Sequence, residues 1–347
     1  MKRAVISVLK ILIPLTLGIW LIYYFYDQLS KQQREELFTA FQQANLWWFL
    51  LAALLSWFSH LSRAWRWRYL IEHMGYNVGF WNAYNATMSG YFMNLLIPRA
   101  GEASRAVMLY RAEGVPFEKG FGTILAERTV DLIMLLAIAG ITLALQWDKL
   151  GLFQERITAF GAEQNITEDA GPNYWWFVII GAILIGAVTV MYLIYTRPEL
   201  RARLMDGIRG FISGLRSVLE TKHRSAFILH TILIWSLYVA MFWVGFFALS
   251  TTATVPAAGV FASFIAGSIG IILVQGGVGV YPAFVGLIVS IYMPMPEGGG
   301  LIRPDALAMG WLLWLSQTLL VIILGGISLF LISPKGNGEG VKRSQVN

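Results

Sequence analysis

The chain has 347 residues, 57% of them hydrophobic and only 13% charged, where an average soluble domain is about a quarter charged. That deficit argues against a soluble enzyme, and the lack of cysteine excludes disulfides, thiolate metal sites and a cysteine nucleophile. The net charge of +6 does not point to nucleic acid, because the basic residues are scattered between apolar segments.

A helix that crosses a bilayer needs roughly 20 mostly apolar residues. Segments 4–26, 46–65, 121–147, 174–195, 226–249 and 306–332 meet that need. The first opens on Lys2-Arg3 like a signal peptide. Its apolar run is too long, however, and it ends in Tyr23-Tyr24-Phe25-Tyr26 without a small-residue cleavage site, so a retained helix is expected. Trp47, Trp48, Trp147, Trp175 and Trp176 stand at segment ends, where headgroups lie. Two apolar stretches are weaker. Residues 80–98 are interrupted by Asn82, Asn85, Ser89, Gly90 and Asn94, and residues 255–293 by Gln275-Gly276-Gly277-Val278-Gly279. Each reads as a re-entrant hairpin or a pair of short, broken crossings. The basic stretch 197–224 reads as an interfacial helix, and the polar tail 334–347 as disordered.

Of the 26 Lys and Arg, twenty fall in the N-terminus, 63–80, 99–119, 197–224 and the tail, and five in the opposite loops. This asymmetry puts both termini in the cytoplasm of an inner, cytoplasmic-type membrane. The expected fold is an all-α polytopic membrane protein, a single transmembrane domain over 1–333. It has six full transmembrane helices plus two re-entrant or broken helical elements. Their like order in the two halves suggests an inverted repeat, an architecture of transporters.

Three stretches carry chemistry. In Asn94-Leu-Leu-Ile-Pro98-Arg99-Ala-Gly101-Glu102-Ala-Ser104-Arg105, helical spacing stacks Arg99, Glu102 and Arg105 into one row. Guanidinium forks match phosphate or carboxylate, so the row reads as a site for an anionic lipid headgroup, or else as a snorkelling loop clamp. In Glu127-Arg128-Thr-Val-Asp131, the two acids share a helix face and repel unless a cation sits between them; Arg63, Arg99 or Arg105 could be that cation. This is a cavity wall, a proton-coupling carboxylate, or an ordinary charged helix entry. Around Gln275, Gly276, Gly277 and Gly279 the open backbone is expensive in lipid unless it lines a cavity or meets a ligand, a plain turn being the alternative. The run lacks the Gly-Lys-Ser/Thr ending of a nucleotide loop, so ATP is not expected and translocation would be gradient-driven or undriven. Arg63, Arg66 and Arg68, interleaved with Trp65 and Trp67, read as a patch snorkelling onto anionic headgroups. The four histidines have no metal spacing, and no metal or cofactor is expected.

The Arg63-Ala-Trp-Arg-Trp-Arg segment ending at Gly75, the Asn94…Arg105 motif followed by Glu127-Arg128…Asp131, and the Gly276-Gly277-Val-Gly279 turn resemble one family. It is the flippase-like family named for the transmembrane region of lysylphosphatidylglycerol synthase, and the likeness covers roughly residues 5–333. In bifunctional members a soluble aminoacyltransferase domain follows; here the chain ends at Asn347, so the resemblance implies lipid movement without the synthase activity. Members often carry a glutamate shortly after the glycine turn, where this chain has Tyr281-Pro282. The expected function is a flippase or transporter of a phospholipid, glycolipid or polyprenyl-phosphate carrier. Its headgroup would sit among Asn94, Arg99, Glu102, Arg105, Glu127, Arg128 and Asp131, against the glycine turn. The alternatives are a membrane-embedded transferase on a lipid-linked substrate, or an accessory subunit of envelope lipid biosynthesis. The expected partners are the lipid itself and a second copy or an envelope-biosynthesis protein.

Overall fold

The computed structural model describes residues 16–97, 100–149, 195–294 and 302–332, apart from 17, 25 and 28, with scattered positions between 151 and 193. The described residues form helices and contain no strand. Spans 4–26 and 174–195 fall largely outside them, as do Pro98, Arg99 and the tail.

Helix α1, Lys31–Gln43, starts at a capping box in which the Ser30 hydroxyl accepts from the Gln33 amide and the Gln33 side chain accepts from the Ser30 amide. It bends by 66° into α2, Leu46–His73. Then come α3, Phe80–Leu96; α4, Gly101–Glu113; α5, Phe117–Gln146; and α6, Pro198–Glu220. The second half holds α7, Arg224–Gly245; α8, Ala257–Leu273; α9, Val280–Ile291; and α10, Pro304–Leu331.

Length separates two kinds of helix. At 1.5 Å per residue, α10 with 28 residues extends about 42 Å and exceeds a hydrocarbon core of about 30 Å. Helices α5, α7 with its short extension, and α10 are long and apolar enough to cross; α1 and α2 qualify together as one bent unit. The outward faces of these helices are apolar: Leu136, Leu229 and Phe330 are all exposed, as expected where the surrounding solvent is lipid.

The 17-, 13-, 17- and 12-residue helices α3, α4, α8 and α9 are too short to cross alone and pack as two pairs, α3 on α4 and α8 on α9. The first pair departs from expectation. The polar residues within 80–98 do not break α3, because Asn85, Thr87 and Ser89 are buried in helix packing; α3 runs on to Leu96, and α4 starts at Gly101. Glycine lets this pair close. A Cβ on Gly101 would strike the Gly90 carbonyl and the Asn94 side chain. The second pair breaks at 274–279 as expected, with Gly276, Gly277 and Gly279 all at positive φ.

Each half thus reads long helix, short pair, long helix: α2, α3/α4, α5, then α7, α8/α9, α10. Exchanging the halves maps the packing onto itself. Helix α2 packs on α7, while α3 packs on α10 and α8 on α5.

Candidate functional site

The charged residues meet where α2, α4, α5 and α7 come together. The Arg63 Nη1 and Asp131 Oδ2 atoms are 2.7 Å apart, and Arg66 Nη2 and Asp131 Oδ1 are 2.9 Å apart. Arg66 Nε also lies 3.5 Å from Glu127 Oε1, so its guanidinium sits between the two acids. Arg105 Nη1 reaches Glu127 Oε2 at 2.7 Å from the other side. The spacing of Glu127 and Asp131 demanded a cation between them, and Arg66 is that cation.

Helix α7 completes the cage. Thr231 accepts from Arg66 at 3.1 Å, and the Tyr238 hydroxyl accepts from Arg63 Nε at 3.2 Å. Aromatic faces cover the guanidinium groups: Arg66 lies 5.1 Å over Phe227, and Arg105 3.6 Å over Trp67. Trp67 is itself pinned by donating to Thr123 at 2.9 Å.

Arg63, Arg66 and Arg105 are all less than 5% exposed, as is Glu127, with Asp131 only slightly more open. Three buried cations therefore face two buried anions. Arg105 Nε and Nη2 are buried and have no hydrogen-bond partner among the described residues. Outward from this core, Arg128 lies 3.7 Å from Asp131 and 3.4 Å from Glu102, and these two side chains are 40% and 28% exposed. The cluster thus has a closed base and an open rim. Tyr91 of α3 stands in the electrostatic field of Arg63, Arg105 and Arg128.

Several sequence expectations change here. Arg63 and Arg66 do not snorkel; they are core partners of Asp131 and Glu127, and only Arg68 and Trp65 keep partial exposure. Arg68 donates to the Val78 carbonyl at 2.8 Å. Glu102 and Arg105 do not stack on each other but reach separate partners on α5, Arg128 and Glu127. Asn94 holds backbone, since its side-chain oxygen accepts from the Gly101 amide at 2.7 Å and caps α4. Arg99 and the Gln275 side chain lie outside the described residues. Arg66, Tyr91, Thr231 and Tyr238 join the site without having stood out in the sequence as site residues.

The glycine turn is a separate group. Trp314 of α10 donates its indole N–H to the Gly276 carbonyl at 2.6 Å, Gly279 abuts the Gly18 backbone, and a Cβ on Gly276 would lie 3.6 Å from Leu95. No hydrogen bond or ion pair among the described residues joins it to the arginine cluster. Tyr281, just after the glycine turn, is buried against Gly267 and Gly270 of α8.

A family model described as the lysylphosphatidylglycerol synthase TM region matches residues 11–326. A UPF0104 membrane protein of Methanocaldococcus jannaschii is 35% identical over 69 residues, 19% of this chain and 20% of that protein. The match spans about a fifth of that relative's length. No solved structure matches the chain.

Proposed function

We infer a function from one premise: the chain belongs to the family of the lysylphosphatidylglycerol synthase transmembrane region, a family of multi-pass membrane proteins. On that premise we propose that it moves an anionic lipid between leaflets. The headgroup is held by Arg105 in the base of the ion cluster and by Arg128 at its open rim, beside Tyr91, while the acyl chains stay in lipid. One observation carries the reading: Nε and Nη2 of buried Arg105 have no hydrogen-bond partner among the described residues. Ionisable groups at membrane depth are expensive and belong to substrate or ion pathways by default. An excess of one buried cation over anions fits a ligand that brings negative charge.

The asymmetry of Lys and Arg supports an open rim on the cytoplasmic side of the inner membrane, with both termini cytoplasmic. Glu127 and Asp131 are each committed to arginines, which leaves neither poised as the acid or base of a transferase.

The test is native mass spectrometry with lipid analysis of gently extracted protein. Wild type retains an anionic lipid, and Arg105→Ala and Arg99→Ala lose it. Equal retention in all three removes the headgroup from this cluster.

A further inference from the structure

No hydrogen bond or ion pair among the described residues joins the arginine cluster to the glycine turn, yet a row of polar side chains runs from one towards the other. On α2, Arg66, Arg63, His60 and Ser56 recur three or four residues apart, with Ser59 beside His60, and all are buried. Ten residues of helix place Ser56 about 15 Å from Arg66, a distance equal to half the depth of a hydrocarbon core of about 30 Å. A member of the row lacks a full set of partners, while the Ser59 hydroxyl donates to the Ser56 carbonyl at 2.7 Å. His60 Nδ1 is buried with no partner among the described residues, and its Nε2 is 3.5 Å from the Ser56 hydroxyl. The His60 ring packs 5.2 Å from that of Tyr91, which stands in the field of Arg63, Arg105 and Arg128.

At Ser56 the row passes to the other half of the molecule. Ser56, Ser316 and Gln317 line a cavity of about 10 Å³ between α2, α7 and α10, room for one water molecule. Gln317 lies one turn beyond Trp314, whose indole holds the Gly276 carbonyl. The other five lining residues, Ala52, Ala53, Met241, Leu313 and Leu320, are apolar, which sets the three polar ones apart. Unsatisfied polar groups at membrane depth persist where they line a water-filled or ligand-bearing cavity.

We propose that this row is a hydrated pathway for the polar part of the transported lipid, leading from the arginine cluster past Ser56 to the Gly276 break. It rests on the headgroup reading above. In this conformation it narrows to one water at Ser56, so α10 must move away from α2 for a headgroup to pass.

The chain contains no cysteine, so single cysteines report cleanly. Ser56→Cys and Ser316→Cys change one atom each. Leu54→Cys and Leu319→Cys lie within a turn of them but face outward, at 45% and 52% exposure. In phosphatidylcholine–phosphatidylglycerol vesicles, a small hydrophilic methanethiosulfonate needs water at the thiol, because the thiolate is the reactive form. The pathway predicts labelling at 56 and 316 about tenfold or more faster than at 54 and 319. Equal rates at the inward and outward positions overturn it, whatever lipid the wild type retains. Loss of lipid from Arg105→Ala with unchanged fast labelling at 56 supports both readings. Fast labelling at 56 and 316 with lipid retained by Arg105→Ala keeps a hydrated row but removes the headgroup from its mouth, which overturns the proposed cargo.

Discussion

Arg105 Nη1 lies 2.7 Å from Glu127 Oε2, and the guanidinium carbon stands 3.6 Å over the Trp67 ring. One donor and one face of the guanidinium are thereby used. The side-on fork of Nε and Nη2, which matches two oxygens of one phosphate, is left unpartnered among the described residues.

Removing Arg105 alone strands Glu127 in the core with Arg66 Nε at 3.5 Å. Arg105→Ala is therefore expected to cost about 3–5 kcal/mol, read as a lowered unfolding temperature in detergent. The double variant Arg105→Met with Glu127→Gln removes both charges and recovers most of that loss. It should still lack the retained anionic lipid. A folded double variant that keeps its lipid would sink the role given to the fork.

Asp131 serves Arg63 and Arg66 together, whereas Arg128 sits at the rim. Asp131→Asn leaves three buried guanidinium groups facing one carboxylate, with an expected loss of about 3–5 kcal/mol. Arg128→Ala should cost less than about 1 kcal/mol, as for partly exposed ion pairs, while still reducing lipid retention. Unfolding curves separate the two. Comparable destabilisation by both would show that the rim is as structural as the base.

Much of this arrangement was legible in the sequence. Glu127 and Asp131, four residues apart, announced a shared cation, and Arg63 and Arg105 were two of the three candidates named for it. The glycines at 276, 277 and 279 announced a break, because only a backbone free of Cβ adopts those positive φ values cheaply. The fate of Arg66 was not legible. An arginine between two tryptophans near a helix end has two solutions, outward to headgroups or inward to acids. The choice depends on α5 and α7 arriving beside α2, a long-range event with no local signature. The polar residues of α3 misled in the same way. Asn85 and Ser89 looked like interruptions until a neighbouring helix buried them.

The glycine turn offers a ranked test. At Gly276, φ is 66° and an added Cβ meets nothing closer than Leu95 at 3.6 Å. Gly276→Ala should therefore cost only the left-handed conformation, about 1–2 kcal/mol. At Gly279 the same φ problem is joined by collision with the Gly18 carbonyl and with Ile22 at 2.9 Å. Gly279→Ala must push the helical segment around Gly18 away, and should destabilise clearly more than Gly276→Ala. The reverse order would mean that the Gly18 contact is not a feature of the membrane-embedded protein.

The last prediction concerns α6, which touches the bundle by a narrow strip. Gly214 packs on Ala126 and Thr129 of α5, and Val218 is buried with Leu70 and Phe227. Met205, Ile208, Ile212 and Leu219 recur on one arc and remain exposed, with Arg209 and Arg216 beside them. Burying that arc in the headgroup layer, with the arginines on anionic lipid, satisfies both parts of the helix. Spin labels at Ile212→Cys and Ser213→Cys sit about 100° apart on the helix and should differ sharply. In vesicles containing phosphatidylglycerol, the label at 212 is expected to be open to oxygen and shielded from an aqueous nickel complex, and the label at 213 the reverse. Reversing Arg209 and Arg216 to glutamate should weaken the shielding by about fivefold or more for each. Equal nickel access at 212 and 213 would leave α6 standing off the membrane. Spin–spin broadening at 212 alone would instead seat that arc on a second copy of the chain.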